Sequence, residues 1–233
     1  MSKSNLAVKE ELENVAAEDV IIINQNEQEN YRPSKDKEIR VNNNLSYLIM
    51  KKIVDIIAGI LGTILLVPLI AVVWFIRICL HENDGPLFFE QIRIGKNGKQ
   101  FRMYKFRTMV MEADEKLYRY LEENPEAKKE YKKYKKLKHD PRITKLGNIL
   151  RKTSLDEFPQ FVNILKGEMS LVGPRPYLYR EKEDLGEYYY NSITKVKPGI
   201  TGYWQVNGRN DVDFEERAYM DTYYIERRGI VMD

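Results

Sequence analysis

One long apolar run, Ile53 to Leu80, limits the possible folds of this 233-residue chain more than any other feature. It carries no charge between Ile56 and Ile76, and a membrane helix needs about 20 consecutive apolar residues. The run is therefore predicted to form a membrane helix. Because it begins well inside the chain and lacks a small-residue cleavage site after a short core, a secretory signal peptide is not expected.

Pro68 lies near the middle of this run, and basic residues flank both ends. They are Arg40, Lys51 and Lys52 before it, then Arg77, Arg93 and Lys96 after it. A single membrane crossing would place one basic set on the outer face, against the positive-inside tendency. A helix kinked at Pro68 that dips into the bilayer and returns keeps both sets on the cytoplasmic side. We predict this re-entrant helix; an ordinary crossing with a tolerated proline is the alternative.

The chain divides into three predicted parts. Residues 1–46 are polar and rich in Asn, Glu and Gln, which predicts a disordered extension. Residues 47–80 form the membrane helix, and residues 81–233 form a small cytoplasmic domain that carries the candidate catalytic groups. A single cysteine, Cys79, excludes an internal disulfide framework and fits a reducing compartment. His81 and His139 are the only histidines, so a zinc site is not expected.

The cytoplasmic part combines a hairpin with helices. Leu87 to Met109 reads as a β-hairpin with its turn at Asn97-Gly98. Met111 to Lys138 is charged and helical, with a break at Asn124-Pro125, and Leu178 to Ser192 is another polar helix. These elements predict an α+β fold that is mainly α.

Charge is distributed unevenly, although the net charge is only +3. From Gly85 to Ser154 there are nineteen Lys/Arg residues and nine Asp/Glu residues. Such an excess directly after a membrane segment favours an anionic membrane surface and anionic substrates. The lysines from Lys128 to Lys138 either contact the membrane or form a solvated face. No groove-reading or base-stacking motif accompanies them, so nucleic acid is not expected as a partner.

The stretch from Ile149 to Pro176 contains the candidate reactive groups. An apolar pattern with helical spacing follows several small polar residues, and Pro159 is tolerated only in a first helical turn. A helix is therefore predicted to begin near Asp156 and to end at Gly167. Asp156 and Glu157 would then lie at a helix N-terminus, which favours ionised carboxylates and attracts phosphate.

Basic residues lie on both sides of this carboxylate pair. Arg151 is just upstream, and Gly173-Pro174-Arg175-Pro176 follows the predicted helix. Two prolines hold the backbone around Arg175, so its guanidinium leaves a stiff loop, as bidentate phosphate recognition requires. The stretch thus offers an anionic nucleophile, a place for a divalent metal and a phosphate clamp. The alternative is that Ser154 and Glu157 form a capping box and that the proline-rich segment is an ordinary turn.

Several blocks closely resemble, in family order, the bacterial sugar transferases that act as polyprenyl-phosphate phosphoglycosyl transferases, the small class with a single membrane segment. The blocks are Gly85 to Gln91, Lys105 to Met109, Asp140 to Thr144, Arg151 to Gln160, Lys166 to Pro176 and Lys197 to Val206. They cover roughly Lys51 to Tyr224, and so many blocks in one order make the resemblance specific.

The resemblance implies a monotopic enzyme on the cytoplasmic face of the bacterial inner membrane. It would transfer a sugar 1-phosphate from a UDP-sugar to polyprenyl (undecaprenyl) phosphate and release UMP, an initiating step of capsule or exopolysaccharide biosynthesis. Asp156 would be the nucleophile, passing through an aspartyl-phosphosugar intermediate. Glu157 would assist in metal or proton handling, Mg²⁺ would be the cofactor that both carboxylates hold, and Arg151 and Arg175 would bind phosphate.

Other features are less specific. Lys105 and Arg107, at the end of the hairpin, would reach phosphate or lipid headgroups, or only solvent. Aromatic residues between Lys197 and Arg209 would stack on a base or serve packing, with Arg209 near its phosphate. The resemblance implies the re-entrant topology too, although Val67 replaces the serine expected before the proline.

Other function classes remain open. A non-catalytic membrane-tethered subunit of a polysaccharide-assembly complex is one, against which the intact Asp156, Glu157 and Arg175 argue. A membrane phosphodiesterase is another, and a second copy of the chain is a further open partner. Family members generally carry further apolar and aromatic residues beyond the position of Asp233; if the chain ends there, a shortened C-terminal membrane-surface element is expected. The sugar is not predicted, because family members with these motifs use different sugars.

Overall fold

The computed structural model describes residues 39–134, 137–207 and 212–233. Most of the predicted disordered extension, Arg209 and part of the lysine-rich run after Lys128 lie outside these ranges. The helices are α1 (Leu45–Cys79), α2 (Ala113–Glu123), α3 (Pro125–Tyr134), α4 (Lys145–Lys152), α5 (Gln160–Leu165), α6 (Lys182–Ile193), α7 (Tyr203–Asn207) and α8 (Phe214–Arg227). The strands are β1 (Phe88–Ile94), β2 (Gln100–Phe106), β3 (Ser170–Val172) and β4 (Gly199–Thr201). This mainly helical architecture with small sheets confirms the predicted α+β class.

The predicted hairpin is present. β1 and β2 pair antiparallel, with Phe88 opposite Phe106. Asn97 and Gly98 have φ angles of 58° and 72°, the left-handed conformation that these two residue types accept most readily. The predicted break between two charged helices is also present, since α2 ends at Glu123 and α3 begins at Pro125.

A second, parallel pair of strands carries the proline-rich loop. β3 pairs with β4, with Val172 opposite Thr201. The loop begins at Gly173, directly after β3, and a Cβ on Gly199 would overlap the Gly173 backbone. This close approach admits only glycine, and it places the start of the loop against β4.

Helix α1 is one continuous helix of 35 residues. Its N-cap is Asn44, whose side chain accepts a hydrogen bond from the Ser46 N–H at 3.0 Å. Pro68 lies inside the helix, which continues to Cys79. By length and composition α1 is able to cross a membrane, and only 22% of its most apolar 18-residue window is buried. The position of this helix relative to a bilayer stays a prediction.

One face of α1 packs on the rest of the domain, both before and after Pro68. Before it, Gly62 lies so close to α5 that an added Cβ would overlap the Phe161 ring. After it, Val73 packs in one hydrophobic cluster with Phe106 and Leu150. The remaining faces expose large apolar side chains along the helix. These include Ile49, Ile53, Ile57, Leu61, Ile64, Leu65, Val72, Trp74 and Phe75.

Candidate active site

Asp156 and Glu157 lie in a short 3₁₀ turn between α4 and α5. The prediction that a helix begins near Asp156 is wrong in its boundary, since α5 begins at Gln160. Pro159 has no N–H to donate to the Leu155 carbonyl, and the chain closes a tighter turn before the helix starts. The carboxylate pair therefore lies in a separate turn before α5 and not in the first turn of that helix.

The capping box considered for Ser154 does not form. Ser154 has a φ of 57°, and its side chain makes no capping hydrogen bond. The Glu157 carboxylate instead accepts a hydrogen bond from Lys105 Nζ at 2.6 Å. The Lys105 and Glu157 side chains are 25% and 28% exposed, so solvent still reaches this ion pair. Strand β2 thus supplies a cation beside the carboxylate pair.

The Asp156 side chain is buried, and its residue is only 8% exposed. Burial raises the pKa of the Asp156 carboxyl, and the charge of Glu157 adds to this rise, whereas Lys105 and Arg151 oppose it. Within the ranges that the structure describes, this carboxylate forms no hydrogen bond with another side chain. A hydrogen bond with the backbone of Asp156 itself also opposes the rise, so this is a buried acid whose charge is only partly compensated, as is common at functional sites.

Arg151 approaches the pair from the last turn of α4. Its Nε donates a hydrogen bond to the Thr108 hydroxyl at 2.9 Å. Burial lowers the pKa of the Arg151 guanidinium, while the charges of Asp156 and Asp140 raise it. The predicted phosphate-binding residue therefore lies within electrostatic reach of the candidate nucleophile, on a helix whose Gly147 touches the Thr108 backbone.

Arg107 is directed elsewhere. Its Nε donates to the Pro86 carbonyl at 3.0 Å, and its guanidinium lies 5.7 Å from the centre of the Phe89 ring. Over the described ranges, these contacts do not join Arg107 to the carboxylate pair. Of the two basic residues at the end of the hairpin, the structure therefore brings only Lys105 to Glu157.

Arg175 lies in the loop after β3, between Pro174 and Pro176, as the sequence predicted. Its backbone N–H bonds to the Asp221 carboxylate at 3.2 Å, and its guanidinium lies 5.8 Å from the Trp204 ring centre. Burial lowers the pKa of the Arg93 guanidinium, the charge of Arg175 lowers it further, and Glu157 raises it. Arg93 is therefore within electrostatic reach of both Arg175 and Glu157, although the sequence pattern suggested only a membrane-flanking role for it.

The aromatic residues suggested for base stacking serve packing. Trp204 is 8% exposed and packs with Val212 and Met220. The Tyr203 ring lies 5.1 Å from the Tyr223 ring.

Two polar residues that sequence reasoning missed, one buried and one partly buried, hold the elements around the site. Asn163 of α5 accepts a hydrogen bond from the Tyr104 N–H at 3.2 Å and donates to the Arg102 carbonyl at 2.7 Å. These bonds align α5 with β2 beside Lys105. Asn163 follows no motif, so no sequence signal marked it.

Asp55 of α1 is the second missed residue. Its carboxylate accepts hydrogen bonds from the Ser170 hydroxyl and the Leu171 N–H, each at 2.9 Å. One turn earlier, Lys51 donates to the Val172 carbonyl at 3.0 Å. An acidic residue near the start of an apolar helix raises the free energy of the fold unless it has hydrogen-bond partners. The position of Asp55 in the sequence was therefore a signal that it bonds another part of the chain.

The donor set at the turn is compatible with Mg²⁺. Among the described residues, no three His, Cys, Asp or Glu side chains cluster as a metal site. Mg²⁺, however, commonly takes one or two carboxylates and completes its shell with water and substrate phosphates. Within the part of the chain that the structure describes, the Asp156 carboxylate has no side-chain hydrogen-bond partner, and Lys105 bonds only one oxygen of Glu157. Oxygen ligands are thus available for an ion that arrives with a phosphorylated substrate.

The sequence model of one family, described as bacterial sugar transferase, matches residues 46–233. The chain belongs to this family. The match contains the whole site described above.

Curated relatives agree with this assignment. An undecaprenyl-phosphate galactose phosphotransferase of Salmonella typhimurium is 45% identical over 81% of this chain and 39% of its own length. An exopolysaccharide production protein, ExoY, of Sinorhizobium fredii is 41% identical over 79% of this chain and 80% of its own length. A UDP-glucose:undecaprenyl-phosphate glucose-1-phosphate transferase of Escherichia coli is 36% identical over 79% of this chain. The chain spans about two fifths of the Salmonella and Escherichia proteins.

Proposed function

We propose that this protein transfers a sugar 1-phosphate from a UDP-sugar to polyprenyl phosphate, most naturally undecaprenyl phosphate, and releases UMP. The observation that carries the proposal is the buried Asp156 carboxylate with Lys105, Glu157 and Arg151 around it, in a chain of the bacterial sugar transferase family. The names of the relatives from Salmonella and Escherichia describe sugar phosphate transfer to undecaprenyl phosphate. The product, a lipid diphosphate sugar, would begin the assembly of a polysaccharide.

In this mechanism Asp156 is a covalent nucleophile. One of its oxygens attacks the β-phosphorus of the UDP-sugar, a P–O bond forms, and the bond to the bridging oxygen breaks so that UMP leaves. An oxygen of the lipid phosphate then attacks the same phosphorus, and the bond between phosphorus and the Asp156 oxygen breaks to regenerate the carboxylate. The raised pKa of Asp156 suits the first step, because a more basic carboxylate is the better nucleophile.

The surrounding residues would manage charge. Arg151 and Arg175 would bind donor phosphate oxygens, and Lys105 would hold Glu157 beside the nucleophile. A bound Mg²⁺, held by Asp156 or Glu157, would offset negative charge on the diphosphate.

We also propose that α1 is re-entrant and keeps the domain on the cytoplasmic face. Packing of α1 on one domain both before and after Pro68 supports this, because a spanning helix would carry one of these halves away from the domain. Tags at Met1 and Asp233, probed with a membrane-impermeant reagent in intact cells, test it. Both tags should stay protected until the membrane is opened. Labelling of one tag alone in intact cells would show a single crossing.

The transferase proposal is tested by offering a panel of UDP-sugars with undecaprenyl phosphate and Mg²⁺ to the membrane-embedded protein and measuring UMP. At least one donor should release UMP repeatedly only when the lipid phosphate is present, and without lipid the release should stop at about one UMP per protein, because the aspartyl intermediate then has no acceptor. Continued release without lipid acceptor would indicate a phosphodiesterase. No release with any donor would favour a non-catalytic subunit of an assembly complex.

A further inference from the structure

Asp221 lies behind the loop that carries Arg175. It belongs to α8 and is fully buried, with 0% exposure. Its carboxylate accepts hydrogen bonds from the Tyr177 hydroxyl at 2.9 Å and from the Arg175 N–H at 3.2 Å. A buried carboxylate therefore bonds the backbone of the phosphate-clamp residue from an element 46 positions away in the sequence.

Arg93 holds the same loop from β1. Its Nη1 donates to the Pro176 carbonyl at 3.0 Å, and its Nη2 donates to the Gln91 side chain at 2.5 Å. Arg93 is 8% exposed, and its guanidinium also lies 3.9 Å from the Glu181 carboxylate. A side chain this buried and this well bonded has little freedom to move.

Together these contacts hold the backbone conformation at Arg175 and so set the direction of its side chain. Pro174 and Pro176 restrict their own φ angles and the conformation of the residue before each of them. Asp221 bonds the N–H of Arg175, and Arg93 bonds the carbonyl of Pro176. The backbone on both sides of Arg175 is thus held before phosphate binds, so binding has to reorient mainly the side chain, which lies 5.8 Å from the Trp204 ring centre, and the entropic cost of ordering the loop is avoided.

We infer that Asp221, with Arg93, is a positioning residue for Arg175: the pair fixes the loop so that the guanidinium is presented to the donor diphosphate. This rests on the proposed function, in which Arg175 binds a phosphate of a UDP-sugar. Asp221 itself touches no substrate. Its side chain acts through the Arg175 N–H.

The test compares Asp221→Ala with Asp221→Asn in the full chain reconstituted in lipid nanodiscs. Hydrogen exchange over residues 173–177 and the Kd for UDP are measured on each. Asp221→Ala should speed exchange of the Arg175 amide and weaken UDP binding at least about tenfold, a loss that matches one charge-assisted hydrogen bond. Asp221→Asn should rescue both to within about threefold, because its amide oxygen accepts the same N–H.

Thr222→Val is the matched control. Thr222 is the next residue on α8, is also 0% exposed, and its hydroxyl donates to the Ala218 carbonyl of its own helix. This change should lower the melting temperature without changing loop exchange or the Kd for UDP. Arg93→Met is the second test variant if Asp221→Ala does not fold. It should weaken UDP binding by a similar factor.

The inference is overturned if folded Asp221→Ala or Arg93→Met keeps wild-type loop exchange and wild-type UDP affinity. It is also overturned if Asp221→Asn is as impaired as Asp221→Ala, since the hydrogen bond would not then be the cause. Loop exchange needs no turnover, so these outcomes stand apart from the transferase assay. Absence of UDP binding to the wild-type protein would refute the proposed donor and leave the exchange data to decide the role of Asp221.

Discussion

The turn that carries Asp156 and the loop that carries Arg175 each contain or contact a buried carboxylate, but the two carboxylates differ in the hydrogen bonds that they accept. Asp156 has no hydrogen bond to another side chain within the described residues, and burial raises the pKa of its carboxyl. Asp221, behind the loop, accepts hydrogen bonds from Tyr177 and Arg175, and burial raises its pKa to about 7. The Asp156 carboxylate thus remains able to accept a ligand, whereas the Asp221 carboxylate is already hydrogen-bonded within the protein.

This difference suggests a reactive role for Asp156 and a structural role for Asp221. A buried carboxylate whose charge is only partly compensated is destabilising, and such groups are common at functional sites. A carboxylate with its hydrogen bonds made instead fixes the chain around it. The contrast predicts that changes at the turn abolish chemistry, while changes behind the loop alter affinity and pH-dependent stability.

The largest expected effect is that of Asp156→Asn. A neutral amide is too poor a nucleophile to replace the carboxylate, so formation of the covalent intermediate should fall at least about a thousandfold. The measurement is radiolabel retained on denatured protein after incubation with labelled UDP-sugar and Mg²⁺ without lipid acceptor. Glu157→Gln is the comparison and should retain a trace of label. Full labelling of Asp156→Asn would rule out this residue as the nucleophile.

Asn163→Leu should disrupt the support of the turn. It removes a fully buried amide that bonds the Tyr104 N–H and the Arg102 carbonyl. Leaving these groups unsatisfied should lower the free energy of unfolding by about 3 kcal/mol, read as a drop in melting temperature. Asn148→Leu, an exposed asparagine-to-leucine change on α4, is the control and should stay within about 0.5 kcal/mol of wild type. Equal melting temperatures for the two variants would contradict the role of Asn163.

Lys105→Gln and Arg107→Gln should differ, although the two residues are only two positions apart. Loss of Lys105 removes the cation bonded to Glu157 and should lower kcat/KM about tenfold or more. Arg107 bonds the Pro86 carbonyl and packs on Phe89, so its change should cost less than about threefold. Equal losses would show that Arg107 enters the site when substrate binds.

Asp221→Asn should change how stability depends on pH. The folded pKa is about 7 and the ordinary value is 3.8, so between these values the folded chain keeps a proton that the unfolded chain has lost. The stability that this group contributes is therefore fully present below about pH 4 and is lost as the pH rises through 7. The melting temperature of Asp221→Asn, relative to wild type, should rise between pH 4 and pH 7. Parallel curves would show that Asp221 does not titrate in this range.

Much of the local structure was predictable from sequence. The apolar run, the Asn97-Gly98 turn and the break before Pro125 follow from neighbouring residues, and each appears at the expected place. The start of α5 was predicted too early, because the pattern around Pro159 permits either a helical or a 3₁₀ first turn. Helices α4, α7 and α8 were not predicted. α8 packs against α6, and that packing is a tertiary property.

What the sequence alone determined is the family, the long apolar helix and the identity of the Asp156-Glu157 and Arg175 motifs, because each is a pattern among residues close together in the chain. Only the tertiary structure decided which cation meets Glu157, and that Asp55, Asn163 and Asp221 support the site. The Lys105–Glu157 bond joins residues 52 positions apart, and the Asp55–Ser170 bond joins residues 115 apart. Such pairings depend on how α1, β2 and α8 pack together, and no local periodicity records that packing.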